Sequence, residues 1–392
     1  IIEALSSYRP TAASPAYPQC SMPPSTSCGV QRFTIIMMGY GEDRLFDVRK
    51  KVRAMLGTTS SFGYGELVEE FILVWNNPIP LKDISPIGAD LVRMSKEPTD
   101  PSEPGSQKPN PFRIFHSHEH GLDGSLMNRY HPALQPKSEA ILYYDDDGPF
   151  YDYWPIKAAF ELWKRNSDAQ LGAMPRAFTL STRQNDEKSG LVDLQDLQPA
   201  DDRKFVSHCR DKGGDVVDYD FTRFCMFDAN MVLPSGSFLH RNYLCYIWHP
   251  ALSELRAFVL EDATHPDDMT VSMLVSQLNG RSPLTYPRRI PNAPRHRRLR
   301  EVNATFDMPQ RRRLLWQSEG WGEKRKAAIN SLVSYFGSIS SGSIGWCYKT
   351  EFHKFQRKRN DCFPEMAQTV ESIPWMNEGK YKNEICDGGT IL

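Results

Sequence analysis

The sequence predicts an α/β fold organised around a parallel sheet. Apolar runs of strand length occur at residues 33–38, 71–75 and 140–144, and a helical repeat of apolar residues at 45–56 separates the first two runs. Strand, helix and strand in alternation are the pattern of a parallel sheet that is covered by helices. We therefore expect these runs to be neighbouring strands of one sheet.

Two segments without apolar periodicity lie before the first run and between the second and third runs. Residues 1–32 are rich in Pro, Ser, Thr and Ala, which predicts a stem or linker. Residues 97–124 hold many Pro, Ser, Gly and His residues, and we expect an inserted loop there. After the third apolar run a second helical repeat follows, and we expect its helix to cover the sheet. Its members are Ile156, Ala159, Phe160 and Trp163.

The third apolar run ends at three consecutive carboxylates, Asp145, Asp146 and Asp147. Adjacent carboxylates repel one another, and a divalent cation relieves that repulsion. Mg²⁺ and Mn²⁺ prefer oxygen ligands, commonly one or two carboxylates together with substrate phosphate oxygens. Open α/β sheets bind ligands beyond the carboxyl ends of their strands. The pattern is typical of a metal-assisted nucleotide diphosphate site, but an acidic surface turn would explain it equally well.

A second acidic pair, Asp267 and Asp268, precedes another helical repeat of apolar residues that Gly280 ends. The pair therefore lies at a predicted helix N-terminus. The helix dipole favours carboxylates there, so capping alone would account for at least one of them.

A last predicted helix begins with cations. Its apolar face is formed by Ile329, Leu332, Val333 and Phe336, which places Lys324, Arg325 and Lys326 in its first turn. The helix dipole disfavours positive charge at that end. A cation retained there therefore indicates a specific partner.

Composition limits the class of protein. The chain has 392 residues, 40% of them hydrophobic, and a net charge of -1, which argues against a general nucleic-acid binder. Its eight cysteines have no CxxC spacing, so no zinc site is indicated. A disulfide between Cys20 and Cys28 is compatible with the sequence but cannot be deduced from it. No apolar run reaches membrane-spanning length.

The C-terminal third adds two features. Residues 281–313 form a predicted basic loop with many arginines and prolines, either a solvated segment or a surface that attracts an anionic acceptor or membrane. Within it, Asn303-Ala304-Thr305 is a glycosylation sequon, which matters only in a lumenal chain. Residues 341–392 carry no motif, and we expect a C-terminal extension.

Several segments, in the same order, resemble the exostosin-type glycosyltransferases (family 64) over residues 33–340. They include the opening strand with Tyr40, the second strand end, and the strand that ends in three aspartates. The other matching segments are Ser125-Leu126-Met127-Asn128-Arg129-Tyr130, Gly172-Ala173-Met174-Pro175-Arg176, residues 231–238 and His265-Pro266-Asp267-Asp268-Met269. The order of the segments makes the resemblance specific.

The resemblance implies a GT-A fold, in which a Rossmann-like nucleotide half joins a mixed-sheet acceptor half. It also implies a retaining transfer of a sugar from a UDP-sugar, with N-acetylhexosamine favoured, to a glycan or glycolipid acceptor, with Mn²⁺ or Mg²⁺ as cofactor and no nucleic-acid partner. The implied location is the lumen of the Golgi or endoplasmic reticulum, in a type II membrane protein whose anchor precedes Ile1. A homodimer is left open.

The resemblance also assigns roles to individual residues. Asp147 would bind the metal. Asp268 would orient the acceptor or sugar in a front-face reaction, and Arg325 would neutralise the diphosphate. The implied substrate-binding residues are Tyr40, Asn77, Asn128, Arg129, Asp145, Asp146, Asp267 and Trp316.

Two departures from the family pattern bear on these roles. Gly41 and Glu42 stand where the family has a polar pair at the nucleotide, with Arg44 nearby. Pro266 and Ala328 stand where family members carry two bonded cysteines, and their joint absence fits a lost bridge. Two other classes of protein share part of this pattern. A metal-dependent phosphohydrolase would need further metal ligands close to Asp147, and a catalytically inactive UDP-sugar-binding or scaffold protein stays open.

Overall fold

The structure is a computed structural model that describes most of the region 19–336. The described residues are Leu5 and residues 19–57, 63–96, 110–180, 216–220, 231–262, 264–280, 283–286 and 319–336. Trp316, the sequon at Asn303, most of the predicted basic loop and the predicted C-terminal extension lie outside them.

The described residues form two sheets. Their strands are β1 (Phe33–Gly39), β2 (Val68–Trp75), β3 (Phe112–His116), β4 (Ala140–Asp145), β5 (Leu171–Gly172), β6 (Pro175–Leu180), β7 (Val216–Asp220), β8 (Met231–Val232), β9 (Ser237–His240) and β10 (Leu284–Thr285). Seven strands form one sheet in the order β10-β5-β9-β4-β1-β2-β3, and the remaining three pair as β7-β6-β8.

Helices connect these strands. The α-helices of the described residues are α1 (Leu45–Leu56), α2 (Leu81–Ile84), α3 (Pro86–Lys96), α4 (Tyr153–Lys164), α5 (Tyr243–Ile247), α6 (Ser253–Glu261), α7 (Asp267–Asn279) and α8 (Trp321–Phe336). Among these helices, none combines the length and the apolar character that crossing a membrane would require.

The larger sheet has a parallel half and a mixed half. Strands β3, β2, β1 and β4 run parallel to one another, as the alternation of strands and helices predicts. Strand β9 is antiparallel to both β4 and β5, and β10 pairs parallel with β5. The fold is therefore mixed α/β, with a mostly parallel sheet.

Both faces of this sheet are buried, which explains the uninterrupted apolar runs. In β1, Ile35 and Met37 pack with α1, α3 and α4, whereas Ile36 and Met38 pack with helices α5 to α8 on the other face. The predicted apolar face of α4 is buried as expected, and so are the described side chains of the predicted face of α8. Two core layers therefore hold the sheet edge in place.

The structure corrects two expectations about loops. The predicted inserted loop at 97–124 contains β3, because Phe112 and Phe115 fit the apolar layers beside β2. The predicted basic loop at 281–313 contains β10, which pairs with β5. Both are edge strands of the sheet, too short or too mixed in composition to give a strand signal.

The predicted stem is also corrected for residues 19–32, which pack on the domain. Cys20 forms a disulfide with Cys245 on α5, not with Cys28, and Cys28 is disulfide-bonded as well. The backbone N–H of Ser27 donates to the Lys164 carbonyl at 2.7 Å, at the end of α4. The segment is thereby fixed to both faces of the sheet.

We predict that removing the Cys20–Cys245 bridge destabilises the domain. Because the bridge joins residues 225 apart in the chain, it restricts the unfolded ensemble strongly. The double variant Cys20→Ser/Cys245→Ser should lose about 2–5 kcal/mol of unfolding free energy in denaturant titrations. A non-reducing peptide map checks the pairing, and a peptide linking Cys20 to Cys28 would contradict it.

Candidate active site

The candidate site lies where the parallel strands end. The register pairs Gly39 with Trp75, Met38 with Asp145 and Trp75 with His116, so the four carboxyl ends meet at one edge. The residues that follow β1, β2 and β4 are therefore neighbours. This is the edge at which open α/β sheets bind ligands.

The three aspartates at the end of β4 form an acidic turn, Asp145–Gly148, closed by a 3.3 Å hydrogen bond from the Gly148 N–H to the Asp145 carbonyl. Arg44 Nη1 lies 3.0 Å from Asp146 Oδ1 and 2.6 Å from Asp147 Oδ2. The side chain of Asp147 is 39% exposed and that of Asp146 15%. Asp147 is thus the more accessible of these two carboxylates.

Arg129 connects the acidic turn to the second acidic pair. It lies in a 3-10 turn, Leu126–Tyr130, whose first turn is capped by Ser125, and its side chain is only 6% exposed. Its Nη1 donates to Asp145 Oδ1 at 2.5 Å, and its Nε lies 3.4 Å from Asp267 Oδ2. A cation buried this deeply is stable only when it is paired, and here two carboxylates share it.

A pair of buried amides supports the 3-10 turn. Asn128 Nδ2 donates to Asn76 Oδ1 at 2.7 Å, while Asn76 donates to the carbonyls of Gly124 and Ser125 at 2.9 Å each. Asn128 Oδ1 is buried and has no hydrogen-bond partner among the described residues. The side-chain amide that binds Asn128 is therefore that of Asn76, and not that of the adjacent Asn77.

Asn77 and Tyr40 lie together at the ends of β2 and β1. Asn77 Nδ2 donates to the Tyr40 carbonyl at 2.9 Å, and the Tyr40 residue is 55% exposed. An exposed aromatic ring at this edge offers a stacking surface for a flat ligand group.

The second acidic pair begins α7, as the sequence predicts, and Gly280 ends that helix in the left-handed conformation. Asp268 is held by Arg325 of α8 through two hydrogen bonds of 2.9 and 2.5 Å. The Met269 N–H also donates to Asp268 Oδ1 at 2.8 Å. The helix begins at Trp321, so Arg325 follows its first turn rather than lying in it as the sequence predicted, and the partner of Arg325 is Asp268.

The site as a whole carries excess negative charge. Its five aspartates are Asp145, Asp146, Asp147, Asp267 and Asp268, and its four cations are Arg44, Lys51, Arg129 and Arg325. Burial raises the pKa of Asp146 to about 6, although Arg44 opposes the shift. Burial likewise raises the pKa of Asp267, with neighbouring carboxylates adding to the effect and Arg129 opposing it. A further cation would relieve this imbalance.

The donor set fits a divalent ion only in part. Within the described residues, no group of three His, Cys, Asp or Glu side chains could hold a metal by itself. One or two carboxylates of the acidic turn remain as ligands, which is the usual protein share when substrate phosphates complete the shell of Mg²⁺. The residues present therefore suit a metal that binds together with a diphosphate.

The structure brings nearly all the residues singled out in the sequence to one edge. Tyr40 and Asn77 form one contact, Asn128 bonds to Asn76, and Arg129 and Arg325 pair with aspartates of the two acidic segments. Trp316 lies outside the described residues. Sequence reasoning missed Asn76 and Lys51, although Lys51 interrupts the apolar face of α1, which was a detectable signal.

Comparison with known proteins gives weak similarity. No protein-family model matches the chain. The Exostosin-like-3 homolog of Caenorhabditis elegans is 21% identical over 255 residues, which cover 65% of this chain and only 23% of that protein. The chain thus matches less than a quarter of the length of this relative. The relationship is exostosin-like, at a level below the one that establishes family membership.

A solved structure, 4-diphosphocytidyl-2C-methyl-D-erythritol synthase from Anaerococcus prevotii, aligns with 72% of this chain and 99% of its own. Its sequence identity is 11% and its TM-score is 0.33. A score this low supports no inference about fold or function.

We predict that Asp267 makes the stability of the protein depend on pH. Its pKa is raised from 3.8 to about 7, so between these values the folded state holds a proton that the unfolded chain has released. The stabilisation is complete below pH 4 and is lost as the pH rises toward 7. In urea titrations, Asp267→Asn should show a flatter pH dependence over this range than the native protein. Parallel curves would contradict the shift, and Asp83→Asn, at an exposed position, is the control.

Proposed function

We propose that the chain is a retaining glycosyltransferase with a GT-A-type fold that transfers a sugar from a UDP-sugar to a glycan or glycolipid acceptor. The observation that carries the proposal is Arg129, which joins the acidic turn at the end of β4 to the acidic start of α7. The acidic turn at the end of β4 can bind the metal and diphosphate, and the acidic start of α7 can bind the sugar and acceptor. Arg129 holds these two segments at a fixed distance from each other. The exostosin-like sequence relationship supports the same class of reaction.

The charge balance supports a cofactor, Mn²⁺ or Mg²⁺, held by Asp147 with help from Asp146. A UDP-sugar brings two further negative charges to an edge that already carries excess negative charge. The metal would stabilise the negative charge that develops on the departing diphosphate. Arg44 contacts the same two carboxylates and can turn toward the phosphates, since its side chain is 33% exposed.

The nucleotide would lie over the ends of β1 and β2. Tyr40 offers an exposed ring for the uracil, with Asn77 beside it. Asn128 supports this edge through its hydrogen bond to Asn76, and Arg129 keeps Asp145 oriented toward the ribose and metal side. Asn77, Asn128 and Arg129 are each fixed by a protein contact before the ligand arrives, which lowers the cost of binding.

The contacts of Asp268 favour a front-face reaction. Both of its oxygens are engaged by Arg325, which lowers their nucleophilicity and suits a role in orienting a hydroxyl group. Asp267 Oδ2 is buried 3.4 Å from Arg129 Nε and has no well-aligned hydrogen bond among the described residues, so Asp267 serves chiefly to hold Arg129 beside Asp268. Arg325 would then share its charge between Asp268 and the diphosphate.

A catalytically inactive UDP-sugar-binding protein is the second candidate. Arg44 already supplies a counterion to Asp146 and Asp147, and a protein that does not use a metal could keep this ion pair. Measuring release of the sugar from UDP-sugars with and without Mn²⁺ separates the two functions. Mn²⁺-dependent turnover supports the transferase, and UDP binding without turnover supports the inactive protein.

An oxidising location agrees with the disulfide between Cys20 and Cys245, since such bonds form in the secretory pathway rather than in the cytosol. We accordingly propose a lumenal location in the Golgi or endoplasmic reticulum.

We predict that Asp147→Asn abolishes transfer and weakens Mn²⁺-dependent UDP binding while the fold is preserved. The substitution removes the more accessible of the two carboxylates that contact Arg44. The buried side chains of β4 are unchanged, so the fold should be preserved. The transfer rate should fall on the order of 10²-fold or more. Asp83→Asn is the matched control. Unchanged Mn²⁺-dependent UDP affinity, measured by calorimetry, would refute the role of Asp147.

We predict that Asp268→Ala and Arg325→Ala each lose most of the transfer activity. Each variant removes one partner of this buried ion pair, so each should also lose about 3–5 kcal/mol of stability, and the double variant should lose less than the sum. Arg325→Ala should reduce UDP affinity more than Asp268→Ala does. A covalent sugar on Asp268, detected by intact mass after incubation with the donor alone, would exclude the front-face route.

A further inference from the structure

Lys51 is a fully buried lysine on the apolar face of α1. The Lys51 residue has 0% exposure, and its neighbours on the same helix face are Val48, Val52 and Met55. Transferring an ammonium group from water to such an environment is unfavourable unless its charge and its donors are compensated. The compensation comes from the acidic turn.

The ammonium group of Lys51 is at the centre of that turn. Its Nζ donates to the backbone carbonyls of Asp145 at 3.1 Å, Asp146 at 2.6 Å and Gly148 at 2.8 Å. An ammonium has three N–H donors, so the three carbonyl oxygens match its full capacity. The cation therefore determines the orientation of three peptide groups in a four-residue turn.

The turn is restrained from the opposite side as well. A Cβ atom on Gly148 would lie 2.0 Å from Ser235 Oγ, in the connection between β8 and β9. The backbone of the turn is thus held between α1 and this connection. The backbone carbonyls of the turn point toward Lys51, whereas the side chains of Asp146 and Asp147 form ion pairs with Arg44.

We propose that Lys51 is a positioning residue for the donor site: its buried ammonium orients the backbone of the Asp145–Gly148 turn so that the carboxylates are presented in a preformed arrangement to a divalent cation and a diphosphate. The proposal rests on the proposed function and extends it to a group that touches neither ligand. This positioning depends on the positive charge and the N–H donors of Lys51 rather than on the volume of its side chain. Variants that keep the volume and remove the ammonium therefore separate it from a packing role.

The primary test is Lys51→Met, which keeps an unbranched apolar side chain of similar length and removes the ammonium. The control is Lys50→Met, since the adjacent Lys50 lies over the Phe46 ring at 4.4 Å and not at the turn. UDP binding is measured by calorimetry with and without Mn²⁺. Lys51→Met should lose at least tenfold in Mn²⁺-dependent UDP affinity, with near-native circular dichroism, and Lys50→Met should bind like the native protein.

Chemical rescue distinguishes positioning from packing and serves also if Lys51→Met does not fold. The Lys51→Ala variant lacks three carbon atoms and the ammonium group, which a propylammonium ion can replace. The variant is therefore purified, and its UDP binding measured, in the presence of propylammonium or of 1-propanol, which has nearly the same size but no charge. Recovery of Mn²⁺-dependent UDP binding with propylammonium alone supports the proposal. Equal recovery with both, or no recovery with either, overturns it.

The outcomes separate this inference from the proposed function. Native protein that binds UDP only with Mn²⁺, together with a Lys51→Met variant of equal affinity, overturns the role of Lys51 and leaves the proposed function standing. Native protein without any Mn²⁺-dependent UDP binding overturns both.

Discussion

Arg129 is a buried guanidinium between two carboxylates that belong to different parts of the chain, Asp145 at the end of β4 and Asp267 at the start of α7. Removing either carboxylate would leave this buried guanidinium with one counterion in place of two, which is a less favourable state. The ion pairs therefore fix the distance between the two acidic segments. The rest of the site depends on this constraint, because each acidic segment also pairs with a second cation. Arg44 pairs with Asp146 in the acidic turn, and Arg325 pairs with Asp268 at the start of α7.

The layered fold makes this arrangement rigid. Strands β1, β2 and β4 end together because they are parallel and in register, and both faces of the sheet are covered by helices. The helices on one face supply Lys51 and those on the other supply Asp268 and Arg325. An edge with five carboxylates and four cations is unstable by itself, and close packing is what holds these groups at their separations. The cost in electrostatic repulsion is typical of sites arranged for an anionic or metal-bound ligand.

Much of the fold could be predicted from local patterns. The strands at 33–38, 71–75 and 140–144 and the helices at 45–56 and after Asp267 have strong periodicity, and all are present. The edge strands β3 and β10 were not predicted, since a short strand is recognised mainly by its neighbours. The pairing of Cys20 with Cys245 was equally inaccessible, because spacing in the sequence does not determine connectivity.

The sequence by itself determined that acidic residues lie at a strand end and at a helix start, because strand and helix periodicities depend on residues only a few positions apart. Tertiary structure alone decided which charges meet. Asp268 and Arg325 are 57 residues apart in the chain and share two hydrogen bonds, and Lys51 reaches carbonyls more than 90 residues away. Ion pairs and buried donors depend on how layers pack against one another, and this packing brings together residues that no local pattern relates.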